Sequence, residues 1–231
     1  MKIGIMQPYF FPYIGYFQLI KSVDKFVVYD NIKYTKKGWI NRNRFLQNRK
    51  ATNFFISIKK DSDYLDVKDR IISVDFNKIK LLNKMKEAYK KAPYFKQIFY
   101  LFEKVLLNNE TNLFKYIYFS IKEICKELKI ETEIVICSNI GIDHSIKSQD
   151  KVIDICQYFD ASTYINAIGG QRLYSNDIFR EHGLDLKFIK SMPIEYQQFN
   201  NAFVPWLSII DVMMFNDPIE MGKLLDNYEL I

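Results

Sequence analysis

The chain is poor in the residue types that most often carry a site: its 231 residues include two histidines, three cysteines, two tryptophans, six prolines and eight glycines. His144 and His182 stand far apart, with no ligand-spaced partner, no Cys/His pair and no Gly-x-Ser-x-Gly element, so neither a zinc site nor a protease-like triad is supported. Cys125, Cys137 and Cys156 are odd in number, widely spaced and set in apolar periodic segments. They read as reduced core residues rather than a disulfide framework. No apolar run approaches the ~18 residues needed to span a bilayer, and the first residues enter a strand-like run rather than a leader, so the expectation is a soluble, cytoplasmic protein. No Gly/Ser- or Pro-rich stretch divides the chain and no internal repeat is found, so residues 1–231 are expected to form one domain.

What is present is apolar and patterned. Hydrophobic residues make up 48% of the chain and aromatics 16%, enough to bury a sizeable core. Short apolar runs at residues 3–6 and 26–29 flank a segment of helical spacing at 14–20, the β-α-β pattern that opens a parallel sheet. Residues 53–58 read as a third strand, and 78–91, 93–107 and 113–128 as three helices. Strands return at 133–137, 163–166 and 186–189, with helices from Ser148 and over 176–182, the latter ended by Gly183. Residues 205–225 read as helical, with Pro218 suited to the first turn of a last helix. The expected fold is α/β: a Rossmann-like, doubly wound, mainly parallel sheet of five or six strands with a helical insertion at about 78–129.

In such a sheet ligands sit beyond the carboxyl ends of the strands, so residues just after strands are the site candidates. Gln7 follows the first strand, and Tyr13 and Tyr16 open the first helix around Gly15; the same aromatics also suit packing under the sheet edge. Acidic residues are absent from 33–60, which carries nine Lys or Arg and would attract an anion. Within it, Lys37, Arg42 and Arg44 are phosphate or carboxylate donors, Trp39 is a stacking surface and Asn41 a neutral hydrogen-bonding group. Strand alternation puts Asn41 and Asn43 on one face and the arginines on the other. Ser138 follows the 133–137 strand; Asn166, Gly169, Gly170 and Gln171 follow the next, the glycine pair either as an anion nest or as a tight turn. His144 and Asp30 are the candidate general bases. The late aromatics Tyr196, Phe199, Phe203 and Trp206 suit a core, a pocket wall or a dimer contact.

The segments MQPYFFPYIGYFQLI, VDKFVVYDNIKYTKKGWINRNR, YINAIGGQRLY and LSIIDVMMFN, in this order along the chain, resemble the WbqC-like family. The resemblance implies a place in bacterial O-antigen (lipopolysaccharide) or other surface-polysaccharide clusters and a glycine transferase role. The layout is also similar to the nucleotidyltransferase-like α/β superfamily, whose His-x-Gly-His motif here reads Tyr13-Ile14-Gly15-Tyr16; residues 145–151 are similar to its second, lysine-containing phosphate loop. The missing histidines argue against adenylyl transfer and leave a nucleotide-shaped pocket. Together these imply a transferase that attaches glycine or a similar acyl group to a nucleotide-linked amino sugar, with ATP-activated glycine or an acyl thioester as the donor and no metal. Two other classes stay open. One is a non-catalytic nucleotide or nucleotide-sugar binding protein. The other is a nucleic-acid-binding protein using residues 33–60 with Tyr34, Trp39 and Phe45, which would leave Gln7 and Asn166 without a role.

Overall fold

The computed structural model describes residues 1–231. Its sheet is built from β1 (Lys2–Met6), β2 (Lys25–Val28), β5 (Glu133–Ile136), β6 (Thr163–Ala167), β7 (Asp185–Ser191) and β8 (Tyr228–Leu230), in the order β5-β2-β1-β6-β7-β8. All neighbours run parallel except β7 and β8, which are antiparallel. The fold is a mostly parallel, Rossmann-like α/β sheet flanked by helices. After β1 the chain turns to one side of the sheet through β2, and after β6 to the other through β7, so the strand order reverses between β1 and β6. No helix is long and apolar enough to cross a membrane.

Alternation along the strands feeds a core on each face. Ile3, Ile5 and Val27 point to one face and pack with Val152, Ile153, Ile155 and Cys156 of α5 (Ser148–Tyr158) and Phe179 of α6 (Asn176–Glu181). Phe26, Val28, Ile165 and Ile189 point to the other and meet α1 (Ile14–Lys21) and the final helices α7 (Ile209–Phe215) and α8 (Pro218–Asp226). That larger core continues into α2 (Lys78–Tyr89), α3 (Phe95–Leu106) and α4 (Leu113–Glu127), whose apolar stripes close against it. Three short polar devices set helix starts: Asn77 caps α2, Asn112 caps α4, and Asp217 caps α8 with Pro218 in its first turn. Cys125, Cys137 and Cys156 are free and buried, and burial pushes each thiol up to about 12.

Two segments differ from the sequence reading. The strand expected at 53–58 is not in the sheet: β4 (Lys50–Phe55) pairs antiparallel with β3 (Arg42–Gln47) as a separate hairpin, and the sixth sheet strand is β8. The hairpin closes through Asn48 (φ 51°) and Arg49 (φ 63°), the consecutive left-handed residues that a two-residue type I′ loop demands. Residues 205–225 are not continuously helical either. The chain is irregular from Met192 to Leu207, then forms α7, and restarts at Asp217 as α8. This strap is tied to the body through Asp211, fully buried, whose carboxylate accepts from Tyr89 (2.7 Å), Tyr196 (2.6 Å) and Gln198 (2.7 Å). The Tyr89 hydroxyl in turn accepts from the Leu46 N–H at 2.8 Å, so one carboxylate joins α2, β3, the strap and α7.

Candidate functional site

Beyond the carboxyl ends of β1 and β6, where the strand order reverses, lies a cleft of about 730 Å³. Met6 and Gln7 form its floor with Asn166 and Ala167; Gly169, Gly170 and Tyr174 form one wall, and Lys147, Ser148 and Gln149, at the start of α5, the other. Tyr29, Asn31, Lys33 and Asp66 close the side next to β2. The first turn of α5 leaves backbone N–H groups at the cleft, which with Lys33 and Lys147 suits an anionic ligand. Behind Tyr29 is an unusual cation. Lys151 is fully buried, its Nζ has no hydrogen-bond partner, and it sits 5.0 Å from the centre of the Tyr29 ring. Burial holds its amine below the ordinary lysine value.

A second hollow of about 310 Å³ adjoins the cleft, sharing Met6, Tyr9 and Ala167 with it. Its walls are aromatic: Tyr13 and Tyr16 of the α1 entry, Trp39 from the loop before β3, and Trp206 from the strap. The Tyr13 and Trp206 rings are 5.2 Å apart, and Tyr13's hydroxyl is pushed up to about 12 by burial. Arg42 and Arg44 lie under the Trp39 ring at 5.3 and 5.2 Å. The entry loop above them is held by Asn43, whose Nδ2 donates to the carbonyls of Phe10 (3.3 Å) and Phe11 (2.7 Å). Phe11 has φ 44°, a strained value for a bulky residue that this clamp helps to maintain.

The structure gathers some of the sequence-derived candidates and disperses others. Gln7, Asn166, Gly169 and Gly170 line the cleft, and Tyr13, Tyr16, Trp39 and Arg44 line the aromatic hollow. Tyr16 is largely core: it donates to the Gln7 carbonyl at 3.0 Å, and burial raises its hydroxyl well above the ordinary value. Lys37 and Gln171 are exposed and line neither hollow. Asn41 accepts from Tyr34 (2.9 Å) and donates to the Ile56 carbonyl (2.8 Å), which consumes its amide. Arg42 turns back onto the Lys37 carbonyl and Arg44 onto that of Trp206 (2.9 Å). The glycine pair is not an anion nest: it lies in the 3-10 turn Ile168–Leu173, and neither glycine has the positive φ that a nest's alternation needs. Gly170 instead makes room for Asn166, with whose amide an added Cβ would collide.

The two candidate bases sit one layer behind the cleft. Asp30 is 1% exposed and accepts from Ser138 N–H (2.9 Å) and Oγ (2.6 Å). His144 Nε2 faces the Ile140 carbonyl at 3.1 Å and so carries the proton, while Nδ1 accepts from Asn31 Nδ2 at 2.9 Å. His144 thus reaches the cleft through Asn31, whose own buried Oδ1 has no partner. Tyr29 and Asn31, which line the cleft, are not among the sequence-derived candidates although both follow β2 and satisfy the after-strand rule. Lys151 was legible as a lysine one turn before Ile155 on the buried stripe of α5. Asp66 gave no signal: it arrives through a long loop that bridges back to Lys33.

Residues 7–222 match the model of the WbqC-like protein family. The chain is 25% identical over 219 residues to a Mycobacterium tuberculosis protein named Uncharacterized protein Rv1507c, an alignment covering 93% of each. No solved structure matches the chain.

Proposed function

Because this chain belongs to the WbqC-like protein family, we propose that it is a transferase of bacterial surface-polysaccharide (O-antigen) biosynthesis, attaching glycine or a similar acyl group to a nucleotide-linked amino sugar. The observation that carries this reading is the 730 Å³ cleft at the reversal of strand order, with a helix start and two lysines on its walls and two carboxamides, Gln7 and Asn166, on its floor. A nucleoside diphosphate presents the charge that the lysines and the α5 N–H groups can take up, and its polar substituents match the carboxamides.

Amide formation joins the sugar nitrogen to the acyl carbon, releases the donor's activating group and strips one proton from the amine. We assign that proton to His144, which reaches the cleft through Asn31, by the same Nδ1 lone pair that Asn31 now occupies; Asp66, whose carboxylate borders the cleft, is the competing acceptor. Base catalysis therefore requires the Asn31 amide to turn aside when the amine enters. Asp30, clamped by Ser138, acts in this scheme by fixing the β2 end rather than by touching substrate. The basic segment 33–60 plays a smaller part than its charge suggests, since Arg42 and Arg44 spend donors on backbone carbonyls.

The same occupancy of His144 and Asp30 favours a second reading, a nucleotide-sugar binding protein without turnover. One experiment separates the two. The protein is incubated with UDP- and dTDP-linked amino sugars and either ATP plus glycine or glycyl thioester, and the products are read by mass spectrometry and the binding by calorimetry. A glycyl mass increment that falls at least about tenfold in His144→Gln supports the transferase. Binding without any increment supports the binding protein, and no binding to any nucleotide-sugar removes both.

A further inference from the structure

Resting on that reading of the cleft, we propose that the adjoining aromatic hollow is the sugar subsite: the pyranose ring stacks between Trp39 and Trp206 while the nucleoside diphosphate occupies the cleft. Four observations converge on it. The hollow is continuous with the cleft through Met6, Tyr9 and Ala167, and its 310 Å³ falls at the low end of the about 300–1,000 Å³ of small-molecule sites, so it fits one ring rather than a nucleoside. Trp39 and Trp206 remain 41% and 59% exposed although Arg42 and Arg44 lie against the Trp39 ring and Tyr13 against the Trp206 ring, so each indole keeps open surface for an apolar partner such as the C–H face of a sugar. Trp206 also holds a φ of 61°, a left-handed backbone that a bulky side chain avoids, fixed here by the bond from Arg44 Nη2 to its carbonyl. Arg44 lines the hollow, and its Nε is buried without a partner, a donor left unsatisfied beside the hollow that a small shift of the side chain would offer to a ring hydroxyl or an acyl carbonyl.

The division of labour follows from charge. Two lysines and the α5 start border the cleft against one carboxylate, Asp66, and the hollow has a single cation already engaged with Trp39 and a carbonyl. A nucleotide-sugar carries its diphosphate between base and ring, so the phosphates align with the lysines while the ring extends past Tyr9 into the hollow.

Trp39 and Trp206 are the chain's two tryptophans, so indole emission, excited beyond the absorption of the chain's tyrosines, reports on this hollow. The wild-type protein and the Trp39→Phe and Trp206→Phe variants are titrated with UDP, dTDP, their amino-sugar conjugates, and free glucosamine and N-acetylglucosamine, following emission and, in parallel, heat. The expected result is that conjugates and free sugars change the emission of each single-tryptophan variant while the diphosphates bind without changing it. Trp39→Ala then raises the conjugate's Kd by about tenfold and leaves that of the diphosphate within about twofold. The proposal is overturned if the diphosphates shift emission as strongly as the conjugates, which would place the base in the hollow, or if the conjugates bind with no change in emission. If no nucleotide binds but free sugars shift emission, the transferase reading fails and the sugar subsite stands. If neither binds, both fall.

Discussion

Lys151 shows how a single side chain can mark the boundary between fold and site. Its ammonium lies in the packed layer of α5, with an aromatic face and no acceptor, and a buried cation in that state costs stability unless something offsets it. Lys151→Met, similar in length and uncharged, is expected to raise stability by about 1–3 kcal/mol in the absence of ligand, measured by denaturant unfolding. The pH dependence has a defined sign. The folded amine sits below the ordinary lysine value, so between the two values the unfolded chain binds more protons and stability rises with pH. That alkaline rise should vanish in Lys151→Met. A variant that unfolds more easily at every pH would show instead that the ammonium supports the fold.

The turn after β6 is the element where backbone and site chemistry meet. Gly169 and Gly170 are adjacent, yet an added Cβ meets nothing within 4 Å at the first and collides with the Asn166 amide at the second. Gly170→Ala should therefore turn Asn166 out of the cleft and weaken binding of a nucleotide-sugar about fivefold, the equivalent of roughly 1 kcal/mol for one typical hydrogen bond, while Gly169→Ala, which adds a methyl group at the cleft wall and leaves Asn166 in place, should weaken it less. Both variants should melt within about 2–4 °C of wild type, the equivalent of roughly 1 kcal/mol for a chain of this size. Equal binding in both would detach Asn166 from the ligand. At this scale much was readable in advance. The periodicity of α2 to α4, the Asp217–Pro218 start of α8 and the strands β1, β2, β5, β6 and β7 follow from local spacing. Pairing partners do not. Whether residues 50–55 join the sheet or fold onto 42–47 depends on a left-handed Asn48–Arg49 turn, and the committed states of Asn41, Arg42 and Arg44 depend on carbonyls that only the folded chain brings near.

For the whole molecule, the Asp211 hub fastens the strap that carries Trp206. Its carboxylate is held by three neutral donors and no cation, and burial raises its pKa above the ordinary carboxylate value. Folding then takes up a proton: this contribution is complete below the ordinary value and is lost as pH rises through the raised one. Asp211→Asn abolishes that slope. It is expected to cost about 1–3 kcal/mol at neutral pH, because the amide's NH₂ must face a donor, and to dull the response of Trp206 emission to ligand. An unchanged pH–stability curve would place the slope elsewhere. The strand order has a consequence of another kind, in time rather than in space. β1 leaves the ribosome before the other strands of this sheet and lies inside it, flanked by β2 on one side and by β6, which begins at Thr163, on the other. At about 5–20 residues per second, its second edge waits on the order of ten seconds for its partner, with its hydrogen-bonding groups open to any passing strand. The nascent chain, rather than the finished protein, is where this fold is most exposed to misassembly.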